Sequence, residues 1–184
     1  SPVLRTGVNS TIYYIDFSFD KLKLGGSAFA QSLDKIGKEV PTVQDSEYFA
    51  NAFNAVQELV NKEFILAGHD ISAGGMITTM LEMNFANTEG GLEVSLDEIP
   101  EKDLVKILFS ENPGILIQVE KTDEVEKILK KAGVAFIRLA RPCDERHLLI
   151  HKDGADYQFF IDHLRDVWFE SSYLLDRKQS GEKA

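Results

Sequence analysis

The chain has 184 residues and a net charge of −10, with 43% apolar and 27% charged residues. That length supports one hydrophobic core and the composition is that of a globular protein. The acidic balance argues against a nucleic-acid surface, which needs clustered Lys and Arg, and no apolar run approaches the ~20 residues of a membrane helix. Cys143 is the only cysteine. This excludes an internal disulfide and a cysteine-based zinc site, and it fits a reducing, cytoplasmic setting without a signal peptide.

The predicted elements follow in chain order. Residues 11–19 (TIYYIDFSF) alternate and are rich in β-branched and aromatic side chains, which predicts a strand. Leu24-Gly25-Gly26-Ser27 is a turn before a helix over 28–36, with Ser27 as its cap. Asp45 or Ser46 caps a helix over 47–62, whose stripe Phe49, Phe53, Val56 and Val60 is expected to face the core. Residues 63–67 (EFILA) read as a buried strand.

Next come Gly68-His69-Asp70-Ile71-Ser72-Ala73-Gly74-Gly75 and a helix over 76–86. A polar turn with paired glycines before a helix suits an anion. Unpaired N–H groups there carry partial positive charge, and Gly-Gly can curl into an N–H nest. Asp70 offers a hard oxygen suited to Mg²⁺ beside a phosphate, and Ser72 a short hydroxyl. The same residue types also serve as helix caps, and the stretch matches neither a Walker A loop nor a G-x-G-x-x-G fingerprint. His69 alone reads as a packed or hydrogen-bonded histidine.

Further on, Gly90-Gly91 precedes a short strand over 92–94 and a turn at 97–100. A short helix over 102–109 follows, then a Pro113-Gly114 turn and a buried strand over 115–119. A helix over 124–132 ends at Gly133, and 134–140 is another strand. Asp153-Gly154 lies between the runs 148–151 and 157–161, a hairpin signal. His147 and His151 read as surface residues. The terminal helix, 162–177, carries Trp168 as a packing anchor. Strands and helices alternate, so the fold class is α/β (α+β), a layered sandwich with a mixed sheet. Residues 1–177 are expected to form one domain and 178–184 a polar tail or linker. The opening Ser-Pro-Val-Leu and the polar ending suggest a domain of a larger protein.

Several stretches carry a family resemblance. His69-Asp70-Ile71-Ser72-Ala73-Gly74-Gly75, followed by Leu81-Glu82-Met83 and Gly91-Leu92, resembles the H-D-x-S-x-G-G…L-x-E-M…G-(L/I) run of the phosphoribosylformylglycinamidine synthase family, in its long single-chain form. Leu24-Gly25-Gly26-Ser27-Ala28 resembles that family's L-G-G-S/T-A stretch, and Leu108-Phe109-Ser110-Glu111 with the strand after it its L-F-x-E stretch. Leu164-Arg165-Asp166-Val167-Trp168-Phe169-Glu170-Ser171 resembles the L-R-x-x-W-x-E-T segment leading towards a glutaminase domain. Order and spacing agree from about Val3 to Arg177.

The resemblance implies an α/β/α domain like the C-terminal domain of aminoimidazole-ribonucleotide (AIR) synthetase, here from the second such unit of the enzyme. It implies a purine-biosynthesis ligase that uses ATP, Mg²⁺ and glutamine to convert formylglycinamide ribonucleotide to the amidine. In it, ATP phosphorylates the amide oxygen and ammonia displaces the phosphate. By the same resemblance Asp70 is the metal ligand and Ser72 the contact to ATP or ADP. The implied partners are a preceding AIR-synthetase-like domain and a following glutaminase domain, with no nucleic acid and no membrane. Ala73 departs from the pattern, standing where many relatives carry Asp. Cys143 does not match the glutaminase nucleophile, and no catalytic residue is assigned. The alternatives are another AIR-synthetase-like or selenophosphate-synthetase-like ATP-dependent enzyme, and a non-catalytic scaffold in which Asp70 and Ser72 only cap a helix.

Overall fold

The computed structural model describes residues 1–180. Seven strands form one mixed sheet: β1 (Thr11–Asp16), β2 (Ile65–Asp70), β3 (Gly91–Ser95), β4 (Gly114–Val119), β5 (Phe136–Cys143), β6 (His147–Lys152) and β7 (Ala155–Phe160). Their order is β2-β4-β1-β5-β3-β6-β7. Only β3 and β6 run parallel, and every other neighbouring pair is antiparallel. Six helices complete the described residues: α1 (Ala28–Ser32), α2 (Ser46–Asn61), α3 (Gly75–Phe85), α4 (Leu104–Phe109), α5 (Thr122–Lys131) and α6 (Ile161–Ser180).

Side-chain alternation divides the strands between two cores, because successive residues of a strand point to opposite faces. Ile12 and Tyr14 of β1 and Leu116 of β4 join Met76, Met80, Met83, Ile107 and Ile161 on one face, from α3, α4 and α6. Tyr13, Ile15, Ile117 and Val119 join Ala55, Leu59, Val125 and Leu129 on the other, from α2 and α5. The layers are therefore α/β/α, with a mixed sheet in the middle. A sheet clothed on both faces explains why β1 and β4 read as near-continuous apolar runs.

Local chemistry sets the ends of the elements. Asp45 caps α2, its carboxylate accepting from the N–H groups of Glu47 and Tyr48. Ser27 caps α1, accepting from the N–H of Ala30. Gly133, at φ +68°, follows α5. The β6–β7 hairpin turns on Asp153 and Gly154 at φ +49° and +81°, the left-handed pair that a two-residue hairpin requires.

The structure differs from the sequence reading at several points. Strand β1 stops at Asp16 rather than at residue 19, because the Asp16 carboxylate accepts from the Ser18 and Phe19 N–H groups and turns the chain. Strand β2 does not stop at Ala67. It continues through Gly68, His69 and Asp70, because β4 supplies a partner for each, Asp70 opposite Ile115. Helix α1 ends at Ser32, where Leu33 takes a non-helical cap conformation. The buried face of α2 is Ala52, Ala55, Val56 and Leu59. Phe53 and Val60 are exposed, since the small alanines are what let the helix settle on the sheet. Strand β5 begins at Phe136 and runs on to Cys143, where its later residues pair with β3. Helix α6 extends through Lys178 to Ser180, into the expected polar tail. Residues 181–184, the rest of that tail, lie outside the described residues.

Candidate functional site

Asp70 ends β2, and Ser72 stands in the turn that leads to α3. Asp70 keeps its main chain inside the fold. Its carbonyl accepts from the Thr79 hydroxyl at 3.2 Å and from His69 Nδ1 at 2.8 Å. Its carboxylate, 76% exposed, projects outward with one oxygen 3.6 Å from His69 Nδ1. A carbonyl can only accept, so Nδ1 of His69 carries the hydrogen. The other ring nitrogen lies 3.4 Å from the Glu82 carboxylate on α3. His69 is thus held through Nδ1, as expected of a hydrogen-bonded histidine.

Neither Asp70 nor Ser72 caps α3. The N-cap is Gly74, at φ +89°, with no side-chain cap hydrogen bond. This overturns the capping alternative and leaves an exposed carboxylate and an exposed hydroxyl at the mouth of the turn. The expected amide nest is not open either. The Gly74 N–H donates to Glu111 at 2.9 Å, and the Gly75 N–H donates to the Ser72 carbonyl at 3.0 Å. What the site offers a ligand is therefore hard oxygen rather than free glycine N–H. Such oxygen is of the kind a hard divalent cation takes.

Sequence reasoning gave Glu111 no role of its own. One oxygen of its carboxylate accepts from Gly74 and also from the Ala28 N–H, at 2.7 Å. The Gly25-Gly26 and Gly74-Gly75 turns are thereby joined. The signals for this were its place in the Leu108-Phe109-Ser110-Glu111 stretch and an acid set just after an apolar helix and just before Asn112-Pro113-Gly114. Asn112, 1% exposed, donates to Ser18 Oγ and to the Lys21 carbonyl at 3.2 and 3.0 Å, fixing the backbone beside Glu111.

A groove of about 590 Å³ lies elsewhere, between Asn9–Thr11, β3, β5 and His151, and contains neither Asp70 nor Ser72. His151 there pairs with Asp156 at 2.6 Å, as a surface residue. Cys143 is half-buried, and burial, followed by the nearby Glu145 and Glu93 carboxylates, pushes its thiol up and away from the reactive thiolate. Among the described residues no cluster of His, Cys, Asp and Glu could hold a metal by itself. No helix among them is long and apolar enough to cross a membrane.

Comparison with known proteins places the fold and the sequence together. The chain is 34% identical over 184 residues to the probable phosphoribosylformylglycinamidine synthase, chloroplastic/mitochondrial, of Arabidopsis thaliana, covering 97% of this chain and 13% of that protein. It is 31% identical over 175 residues to phosphoribosylformylglycinamidine synthase of Homo sapiens, covering 92% of this chain and 13% of that one. The chain thus spans about an eighth of the length of these relatives. Among solved structures it superposes on T. maritima PurL complexed with ATP at a TM-score of 0.67 and 15% identity, over 89% of this chain and 27% of that one. On T. maritima PurL complexed with FGAR the TM-score is 0.64 at 20% identity, over 89% and 28% of the two chains. These likenesses carry the α/β/α fold. A family model, AIR synthase related protein, C-terminal domain, matches residues 9–148, and the chain belongs to that family.

Proposed function

We propose that this chain contributes a Mg²⁺–nucleotide site to an ATP-dependent ligase of purine biosynthesis. The ligase converts formylglycinamide ribonucleotide to formylglycinamidine ribonucleotide with glutamine-derived ammonia, as a glutamine amidotransferase. Asp70 is the metal ligand, and Ser72 contacts the ATP or ADP that the metal accompanies. The chain acts as one domain, beside an AIR-synthetase-like domain and a glutaminase domain, in a reducing cytoplasmic setting.

One observation carries this reading. The Asp70 carboxylate and the Ser72 hydroxyl stand exposed at the end of β2, and α3 takes no side-chain cap from either. A scaffold in which these residues only cap the helix would need those missing bonds. The relatives' names support the reaction, and the PurL structures complexed with ATP and with FGAR support the ligand class.

The bound ion would neutralise charge on a phosphate and orient it. Asp70 supplies the anchoring oxygen, and the pairing of β2 with β4 fixes where that oxygen sits. Ser72 supplies a donor two residues beyond the sheet. His69 holds the Asp70 carbonyl and so fixes the peptide from which the carboxylate projects.

The test is calorimetric titration of MgADP and MgATP into the chain, with Asp70→Asn beside it. Saturable binding that the variant loses supports the site. Binding that the variant retains overturns it. The chain alone is expected to form no amidine from ammonia and ATP.

A further inference from the structure

We infer that Glu111 is a positioning residue that locks the Leu24-Gly25-Gly26-Ser27-Ala28 turn to the Asp70–Gly75 turn, so that the two move as one body. The ligand half of this inference rests on the Mg²⁺–nucleotide reading of Asp70. The mechanical half does not.

The geometry is specific. One carboxylate oxygen of Glu111 receives the Ala28 N–H at 2.7 Å and the Gly74 N–H at 2.9 Å. Bonds from N–H to an ionised carboxylate are roughly twice as strong as neutral ones. Each turn is held on its far side as well. Gly25 and Gly26 donate to the carbonyls of Glu39 and Ile36, at 2.8 and 2.6 Å. Gly74 sits over Thr78, whose hydroxyl donates to the Gly74 carbonyl at 3.1 Å. The backbone under Glu111 does not yield, because Ser110 and Asn112 on either side are 3% and 1% exposed. A strut between two anchored turns transmits a displacement of either one. The Gly25-Gly26 turn thereby sets the position of the residues that follow Asp70 without touching any ligand.

A rival use of the same bonds is competition. If Glu111 merely occupied the place of a phosphate, removing it would strengthen anion binding. The two ideas predict opposite signs.

The experiment is a double-mutant cycle between Ser27→Ala and Glu111→Ala, with Glu111→Gln as the conservative variant. Ser27 caps α1 and lies outside the Asp70 turn. Hydrogen exchange of the Gly74 amide is the first readout, with the Gly133 amide, bonded to Lys130, as control. We expect Ser27→Ala to speed Gly74 exchange by about fivefold when Glu111 is present and to add nothing in the Glu111→Ala background. Glu111→Gln, which keeps an acceptor oxygen and guards against a misfolded alanine variant, should restore most of the coupling. Gly74 exchange indifferent to Ser27→Ala overturns the inference. So does a Gln variant no better than Ala. MgADP titration is the second readout, and Glu111→Ala should weaken binding by about tenfold. Tighter binding in that variant overturns the strut in favour of competition. If the wild-type chain binds no MgADP, the nucleotide reading fails for this chain, and the exchange cycle alone decides the role of Glu111.

Discussion

Gly75 lies so close to the last turn of α4 that a Cβ on it would stand 2.6 Å from the Leu108 carbonyl oxygen. Its φ of +74° adds a second bar to any side chain. Gly75→Ala is therefore expected to cost about 3 kcal/mol, because backbone atoms must move and a left-handed residue is strained. Gly133 makes the comparison fair. It has a similar φ of +68° with nothing within 4 Å of a Cβ, so Gly133→Ala isolates the conformational strain at about 1 kcal/mol. Urea midpoints of the two variants check the gap. Equal losses would mean that the approach of α3 to α4 is not what Gly75 is for.

Capping and ligand binding separate at the other end of the turn. Asp45→Ala should cost about 1 kcal/mol, since Asp45 holds two N–H groups of α2. Asp70→Asn and Ser72→Ala should change stability by less than about 0.5 kcal/mol, as exposed residues that cap nothing. Their effect should appear as lost MgADP binding. Thermal unfolding of the three variants in the absence of nucleotide is the measurement. A stability loss for Asp70→Asn equal to that of Asp45→Ala would return Asp70 to a structural role.

The legible part of the fold was whatever local pattern decides. The Asp-Gly hairpin and the Gly133 stop are set by neighbours in the chain, and each formed where its pattern lay, whereas the alternation of 11–19 made a strand only as far as Asp16. Partners decided the rest. Gly68-His69-Asp70 has turn chemistry, yet β4 lies alongside and the ladder prolongs β2 through it. Phe53 and Val60 have core chemistry, yet Ala52 and Ala55 face the sheet, because closeness of approach counts for more there than side-chain size. The candidate site divides in the same way. Asp70 and Ser72 were visible as residues with the right donors. Glu111 was not, because its two partners belong to turns far away in the chain.

Two carboxylates make the fold sensitive to acid. Burial by itself would raise Asp20, but the Lys23 ammonium at 2.6 Å, with Gln44, the Lys21 N–H and Thr42, outweighs it and holds the group at about 2, against an ordinary 3.8. Glu126, bonded first to Lys130 and then to Arg138 and the Tyr13 hydroxyl, is also held at about 2, against 4.5. A folded-state value below the unfolded one adds stability that is fully present above the ordinary value and is lost as pH falls through the folded one. The contribution should therefore fade from near pH 4.5 down to pH 2. Asp20→Asn and Glu126→Gln should be less stable than wild type at pH 7, with the gap closing by about pH 2. Urea denaturation across that interval reads this directly, and a gap independent of pH would contradict it.

Arg146 fastens the far end of the helix that carries the site. Its guanidinium donates to the carbonyls of Asn84, Gly90 and Asn87 at 3.2, 3.1 and 2.7 Å, and its Nε to Asp162 at 3.0 Å. It thus ties the C-terminus of α3 and the entry to β3 to the first turn of α6, and further along α6 Trp168 packs on Phe85 with ring centroids 5.6 Å apart. Cationic donors at a helix C-terminus also meet the negative end of its dipole. Arg146→Ala leaves half-buried carbonyls without their donor and should cost about 3 kcal/mol. Arg146→Lys keeps the charge but not the planar fork, so it should recover less than about half of that loss. Neither variant should alter MgADP affinity at temperatures where it stays folded, because the Asp70 turn is held separately by β4 and Glu111. Unfolding and calorimetry on the same samples decide the point. A loss of affinity in folded Arg146→Lys would mean that α3 passes displacements along its length to the site, and that the turn is not positioned by the sheet and Glu111 alone.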